Sequence, residues 1–131
     1  MEADQFTLEE ANALVPWLQG KFLELELRRQ QFITAQKRFD EIVHDPTKDG
    51  STADPELAET AASVKTLSAQ IEDMVQEILD QGIILRDVSS GLVDFPSQRD
   101  GREVFLCWIG GEERIEFWHE TNRGFEHREP L

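Results

Sequence analysis

The chain has 131 residues, 39% of them hydrophobic, which is enough for the core of one domain without disulfide or metal support. Its 27 acidic residues outnumber 13 basic ones and give a formal net charge of −14, so we expect it to repel nucleic acids and anionic membranes. The single cysteine, the acidic start and the absence of any apolar run that could cross a bilayer predict one cytoplasmic domain over residues 1–131.

The first part of the chain has the apolar spacing of amphipathic helices. Thr7 and Glu10 match a capping box and predict the start of a short helix over residues 8–14. Proline lacks a backbone N–H and clashes with the preceding turn. We therefore expect Pro16 to end this helix and to begin a long one that runs to His44.

A polar stretch of about residues 45–54 separates this helix from the next and is predicted to be a flexible loop. Asp54 is a predicted N-cap for a helix that begins near Pro55, and Gly82 is a predicted stop. Residues 6–82 should thus form a long antiparallel helical hairpin.

From residue 83 the apolar spacing changes to that of strands. An apolar run at 83–85 precedes predicted strands over 92–99, 102–109 and 114–120. Asp100-Gly101 is a strong signal for a two-residue hairpin, and Gly110-Gly111 predicts a second tight connection. The predicted fold class is α+β, with the hairpin packed on a small antiparallel β-meander of three to four strands and a C-terminal tail within residues 83–131.

These turns predict a strand register in which Phe95 faces Leu106, and Phe105 faces Trp118. One sheet face would then be core, whereas the other would carry Phe105, Trp118 and Ile109 and be too apolar to face water. Self-association through this second face or through the long helices is the leading functional hypothesis. The protein would be a homo-oligomeric scaffold or interaction protein, with a dimer as the first choice. The tail, residues 121–131, is the alternative cover for that face.

His119 has two interpretations. It is a core histidine bonded to a carbonyl, or a base at a pocket edge beside Ser97. On a strand, His119 and Glu120 point to opposite faces, and the sequence has no HxH, HExxH or CxxC spacing. We therefore predict no metal site and no cofactor.

Cys107 is predicted to lie on one rung with Asp94 and Glu116. Two acids beside a thiol could hold a cation, although pairing of these acids with nearby arginines is the favoured interpretation. Acidic neighbours should also raise the pKa of Cys107, which argues against a nucleophilic cysteine. No catalytic residue is predicted, and a non-enzymatic role is favoured.

The alternative functional hypothesis is a protein that binds a small anionic ligand, or a hydrolase, with a pocket between sheet and helices. Arg86 precedes a glycine-containing turn that could position its guanidinium for an anion. The candidate ligand-binding residues are Arg86, Asp94, Arg99, His119, Glu120 and Arg128.

Several short motifs spread over the chain form a combined pattern: Phe6-Thr7-Leu8-Glu9-Glu10-Ala11-Asn12, Gly82-Ile83-Ile84-Leu85-Arg86-Asp87, Gly91-Leu92-Val93-Asp94-Phe95-Pro96, Leu106-Cys107-Trp108, Trp118-His119-Glu120, and Gly124-Phe125 with Arg128 and Pro130-Leu131. This pattern resembles prokaryotic family 2203 of domains of unknown function over nearly the whole chain. The resemblance implies a small cytoplasmic protein and brings no established activity. It adds weight to Arg86, Asp94, Trp118, His119, Glu120 and Arg128 as a set.

Overall fold

The structure, a computed structural model, describes residues 5–48 and 54–131. Two helices, α1 and α2, precede an antiparallel sheet whose strands follow one another in the order β1-β2-β3-β4-β5. The elements are α1 (Leu8–Val43), α2 (Pro55–Asp80), β1 (Ile84–Asp87), β2 (Leu92–Arg99), β3 (Arg102–Trp108), β4 (Phe117–Glu120), a one-turn 3-10 helix (Phe125–His127) and β5 (Glu129–Pro130). The predicted α+β fold with a helical hairpin is confirmed, and the fifth strand comes from the C-terminal tail.

Contacts divide the chain into two compact units, and the single domain over residues 1–131 stays a prediction. The sheet unit comprises Met1–Leu23 and Gln76–Leu131, and the hairpin unit comprises Glu24–Val75. In the hairpin unit, Arg38 of α1 pairs with Glu56 of α2. In the sheet unit, the two helices are joined by an ion pair between Lys21 and Glu77.

Helix α1 begins at the predicted capping box, but it continues through Pro16, where a break was predicted. The Thr7 hydroxyl accepts from the Glu10 N–H at 3.1 Å, and the Glu10 carboxylate accepts from the Thr7 N–H at 2.8 Å, which completes the capping box. The predicted break at Pro16 is wrong, because α1 is one helix with Pro16 inside it. A mid-helix proline costs about 3 kcal/mol. Val15 and Leu18 are fully buried, at 1% and 0% exposure. Burial of such a side chain stabilises a fold by about 1.5–3 kcal/mol, so the two together offset the cost of the proline.

Helix α2 begins and ends at local signals. The Asp54 carboxylate accepts a hydrogen bond from the Glu56 N–H at 2.9 Å, so Asp54 caps α2 as predicted. Gly82 adopts φ 88°, a left-handed conformation that glycine reaches without a Cβ clash, and the helix stops just before it. Residues 49–53 of the predicted flexible loop lie outside the described residues.

The first hairpin of the sheet has the predicted register. Phe95 pairs with Leu106 and Asp94 with Cys107. Asp100 and Gly101 adopt φ 53° and 79°, the positive values that a tight primed turn requires.

The predicted register of the second hairpin is wrong by one residue. Leu106 pairs with Trp118, and Phe105 pairs with His119. The connection from β3 to β4 is longer than a tight turn because β4 begins only at Phe117. Since the side-chain period of a strand is two, this slip moves every β4 side chain to the opposite face.

Side chains from elsewhere hold the connection in this longer form. The Glu112 carboxylate accepts from the Ile109 N–H at 2.9 Å, and Asn12 of α1 accepts from the Ile115 N–H at 2.7 Å. These bonds satisfy backbone donors that a tight hairpin would pair across the ladder. The connection is therefore set partly by a helix residue more than a hundred positions away.

The register defines two faces of the sheet. The inner face carries apolar side chains: Val93, Phe95, Val104, Leu106, Trp108 and Trp118. Phe22 of α1 stacks on Trp108 with ring centroids 6.1 Å apart, and Phe6 meets Phe95 edge-on at 5.2 Å. The core of the sheet unit thus lies between this face and the first turns of α1.

The outer face carries Asp94, Pro96, Phe105, Cys107, Phe117 and His119. Phe105 and Trp118, predicted to share one patch, lie on opposite faces, and Trp118 is only 8% exposed. Within the described ranges, no helix has the length and apolar character needed to cross a membrane.

Two glycines give opposite stability predictions. A Cβ at Gly20 in α1 would meet nothing within 4 Å, so Gly20→Ala should raise the free energy of unfolding by about 0.5–1 kcal/mol. A Cβ at Gly110 would lie 2.9 Å from the Ser90 carbonyl oxygen, so Gly110→Ala should lower it. Urea denaturation followed by circular dichroism measures both. Equal effects of the two substitutions would contradict this prediction.

Candidate functional site

The outer face of the sheet forms the floor of a polar cavity of about 750 Å³. The floor consists of Leu92 and Asp94 of β2, Cys107 of β3 and His119 of β4, with Arg86 of β1 at one side. The first part of the C-terminal tail lines the cavity with Thr121, Asn122, Arg123, Gly124, Phe125 and His127. This volume lies within the usual range of small-molecule sites.

A β-bulge directs Arg86 to this cavity. Leu85 pairs with Val93 and Asp87 with Leu92, so Arg86 is the extra residue of the bulge. Bulges re-aim side chains in this way. The Arg86 Nε donates to Asp94 Oδ2 at 2.9 Å, and the guanidinium lies 5.3 Å from the centre of the Phe105 ring.

Asp94 is the centre of a buried hydrogen-bond network. Its side chain is 3% exposed, and its second oxygen, Oδ1, lies 2.9 Å from His119 Nε2. Across the described residues, no buried side-chain nitrogen or oxygen lacks a hydrogen-bond partner. The desolvation of the carboxylate is thus offset by a cation on one oxygen and by a ring nitrogen on the other.

Both ring nitrogens of His119 are engaged. Nδ1 lies 2.9 Å from the backbone oxygen of Glu120, which can only accept, so Nδ1 donates. A neutral ring would then present a lone pair from Nε2 to the Asp94 carboxylate. One proton therefore lies between Nε2 and Oδ1, which leaves His119 no free nitrogen to act as a base toward a ligand.

Cys107 completes the floor and is fully buried. Burial first, and then the charge of Asp94, raises the pKa of the Cys107 thiol to about 12, although Arg128 acts in the opposite direction. The predicted direction of this pKa shift is confirmed. At neutral pH the thiol stays protonated and is not a nucleophile.

Arg128 anchors the tail that lines the cavity. Its guanidinium lies between the Phe117 and Phe125 rings, 4.1 and 4.4 Å from their centres, and its Nη1 donates to both oxygens of Glu112 at 3.2 and 3.1 Å. The Leu131 N–H donates to the Glu116 carbonyl at 2.9 Å. These contacts hold the tail along β4 as the fifth strand.

Of the six candidate ligand-binding residues, Arg86, Asp94 and His119 line the cavity. Arg99 stacks on Trp118 at 5.0 Å on the inner face. The Glu120 carboxylate pairs with Arg102 and Arg123 at 3.2 and 3.3 Å. Neither Arg99 nor Glu120 is among the residues that line the cavity, and Arg128 holds the tail beside it.

The other predicted positions are also distributed differently. Ser97, the predicted neighbour of His119, donates to the Phe6 carbonyl at 2.6 Å, away from the histidine. Phe117 takes the place expected for Glu116 beside Cys107. Phe105 and Ile109 are half-buried, Phe105 on the outer face and Ile109 in the connection after β3.

Three residues that line the cavity are not among the candidate ligand-binding residues predicted from the sequence: Cys107, Arg123 and His127. Cys107 was placed beside Asp94, but its rung was interpreted as a set of arginine-paired acids. Arg123 and His127 lie in the tail, where no motif marks them. Only the course of the tail between β4 and β5 brings them to the cavity.

The fold and the site together define an α+β protein with a polar, cation-rich cavity on the outer face of its sheet. The chain belongs to the family described as Uncharacterized conserved protein (DUF2203), whose model matches residues 5–131. Comparison with curated proteins and with solved structures gave no match.

Proposed function

We propose that the protein binds a small anionic molecule in the cavity on the outer face of the sheet. The observation that supports this most is the charge of the lining. In a chain of net charge −14, the ionisable side chains around the cavity besides the thiol are two arginines, two histidines and one carboxylate. That carboxylate, Asp94, is already bonded to Arg86 and His119.

Arg86 is positioned to bind an anion. Its Nε donates to Asp94, and within the described part of the chain its hydrogen bond to a side chain comes from this nitrogen and not from the two terminal ones. Its side chain is 44% exposed and so reaches the solvent side of the cavity. A guanidinium held by one buried bond is pre-organised for carboxylate or phosphate oxygens.

Arg123 supplies a second cation from the tail. Its Nε bonds to Glu120 at 3.3 Å, and its Nη1 lies 3.4 Å from His127 Nδ1. An anion between Arg86 and Arg123 would meet donors from the sheet below and from the tail above. Binding is favoured over catalysis because His119 has no free nitrogen and Cys107 is a neutral thiol.

Thermal-shift and calorimetric titrations test the proposal. Inorganic phosphate, pyrophosphate, succinate and citrate are the probes, and glycerol and glucose are uncharged comparisons. We expect at least one anion to raise the melting temperature, and Arg123→Ala to weaken its binding about tenfold, because one charge-assisted hydrogen bond contributes about 1.5 kcal/mol or more.

Arg114→Ala is the matched control, since it removes the same charge from a residue outside the cavity that is 74% exposed. It should bind the anion like wild type. Stabilisation by anions no greater than by glycerol and glucose would reject the proposal, as would equal losses in Arg123→Ala and Arg114→Ala.

Self-association and a cytoplasmic location remain predictions. Phe105 and Trp118 do not share a face in the observed register, so the predicted apolar patch on the sheet does not form, and the long helices are the other surface predicted for self-association. Light scattering on the purified protein measures the oligomeric state directly.

A further inference from the structure

We infer that Asp94, Cys107 and His119 form a binding site for a transition-metal ion of the Zn²⁺ class on the floor of the cavity. The inference rests on the proposed function only for the ligand that would complete the coordination. The three residues come from three neighbouring strands, β2, β3 and β4. They are buried, and one ligand atom of each lies within 4.8 Å of the others.

The donor set selects the metal. One thiol, one imidazole and one carboxylate are ligands of Zn²⁺ and its neighbours rather than of Mg²⁺ or Ca²⁺, which prefer oxygen. Asp94 and a Cys107 thiolate carry two negative charges, which balance a divalent ion, and His119 would bind as the neutral ring. The metal takes the place of the protons that now lie among the three groups.

The distances fit a tetrahedral ion. Bond lengths of about 2.0–2.3 Å imply separations of roughly 3.3–3.6 Å between ligand atoms. His119 Nε2 and Asp94 Oδ1 are 2.9 Å apart, and the full set spans no more than 4.8 Å. The required separations lie between these two values, so side-chain adjustments of about an ångström are sufficient.

The surrounding hydrogen bonds have the pattern that orients metal ligands. The Glu120 carbonyl accepts from His119 Nδ1 and so directs Nε2 toward the site. Arg86 holds Asp94 Oδ2 and leaves Oδ1 on the side of His119 and Cys107. Outer partners of this kind fix both the tautomer and the direction of the ligands.

Three protein ligands leave one coordination position. The same three residues line the cavity, so that position opens toward the space between Arg86 and Arg123. Sites with three protein ligands and an open position are typical of zinc that binds water or a substrate. An oxygen of the proposed anion would occupy the fourth position.

Metal titration of chelator-treated, tag-free protein tests the inference. We expect one Zn²⁺ per chain by calorimetry, and with Co²⁺ a thiolate-to-cobalt charge-transfer band in the near ultraviolet. Cys107→Ser should abolish this band and weaken Zn²⁺ binding more than about 100-fold, because loss of an outer partner alone costs about 10–100-fold.

His119→Gln should weaken binding similarly, whereas His44→Gln, at an exposed position just after the end of α1, should bind like wild type. If His119→Gln does not fold, the cobalt spectra of wild type and Cys107→Ser decide the result. Absence of stoichiometric Zn²⁺ binding, or equal binding by wild type and Cys107→Ser, would overturn the inference.

Anion titrations with and without Zn²⁺ separate the two proposals. Arg123-dependent anion binding by a protein that takes up no Zn²⁺ overturns only the metal site. Stoichiometric Zn²⁺ binding that needs Cys107, in a protein that binds no anion, supports the metal site and overturns only the proposed anion-binding function.

Discussion

Replacing Asp94 by alanine is expected to lower the free energy of unfolding by about 3–5 kcal/mol, measured in the presence of a chelator. Asp94 is 3% exposed, and its two oxygens bond to Arg86 and His119 at 2.9 Å each. Removing the carboxylate leaves His119, 1% exposed, with a buried donor and no acceptor for it. An unpaired buried charge or donor is among the most destabilising defects in a protein.

The matched control for this prediction is Glu116→Ala. Glu116 also pairs with an arginine, Arg114, at 3.2 Å, but the two side chains are 58% and 74% exposed. Exposed ion pairs contribute little because water and salt screen them. We expect this variant to unfold at the same urea concentration as wild type. Equal destabilisation by Asp94→Ala and Glu116→Ala would show that burial of the network is unimportant.

Replacing Trp108 by alanine should destabilise the protein by a similar amount, about 3–5 kcal/mol. Trp108 is 0% exposed, stacks on Phe22 of α1, and donates from its indole nitrogen to the Glu112 carbonyl at 2.9 Å. The substitution therefore opens a large cavity between sheet and helix and also frees the β3–β4 connection. A loss of this size is a large fraction of the 5–15 kcal/mol typical of a domain.

Trp17→Ala is the comparison for Trp108→Ala. Trp17 is half-buried, and Lys21 lies 5.6 Å from the centre of its ring. Because less apolar area leaves water at this position, the loss should be clearly smaller. Urea denaturation of both variants gives the two free energies. A loss in Trp17→Ala as large as in Trp108→Ala would contradict the assignment of Trp108 to the centre of the core.

Elements that depend on neighbouring residues were predictable. The capping box of Thr7 and Glu10 involves atoms three positions apart. The Asp100-Gly101 turn sets the register of β2 and β3 through two backbone conformations. Asp54 and Gly82 bound α2 by the same kind of short-range bond and backbone geometry. Such signals decide local structure because few other contacts compete with them.

Elements that depend on distant residues were not predictable. Pro16 remains inside α1 because burial of its neighbours outweighs the lost hydrogen bond. The β3–β4 connection is held by Asn12 of α1 and by Glu112, and this shifts β4 by one residue. A strand shifted by one residue exchanges its faces, so one wrong turn transferred His119 from the predicted core face to the outer face.

The candidate site divides in the same way. Asp94 and Cys107 were predicted to be paired, because the first hairpin sets their rung. His119 joined them only through the observed register of β4, and Arg86 through a bulge that the sequence does not mark. Arg123 and His127 reach the cavity because Arg128 fixes the tail between two phenylalanine rings.

The sequence by itself determined the α+β class, the helix caps, the first hairpin and the rung of Asp94 with Cys107, since these follow from periodicity and from bonds between near neighbours. The tertiary structure decided which face His119 occupies and which tail residues line the cavity on the outer face. Backbone donors at 109 and 115 took side-chain partners from Glu112 and Asn12 instead of ladder partners. Because these donors bond to side chains, β4 is shifted by one residue and His119 lies on the same face as Asp94 and Cys107.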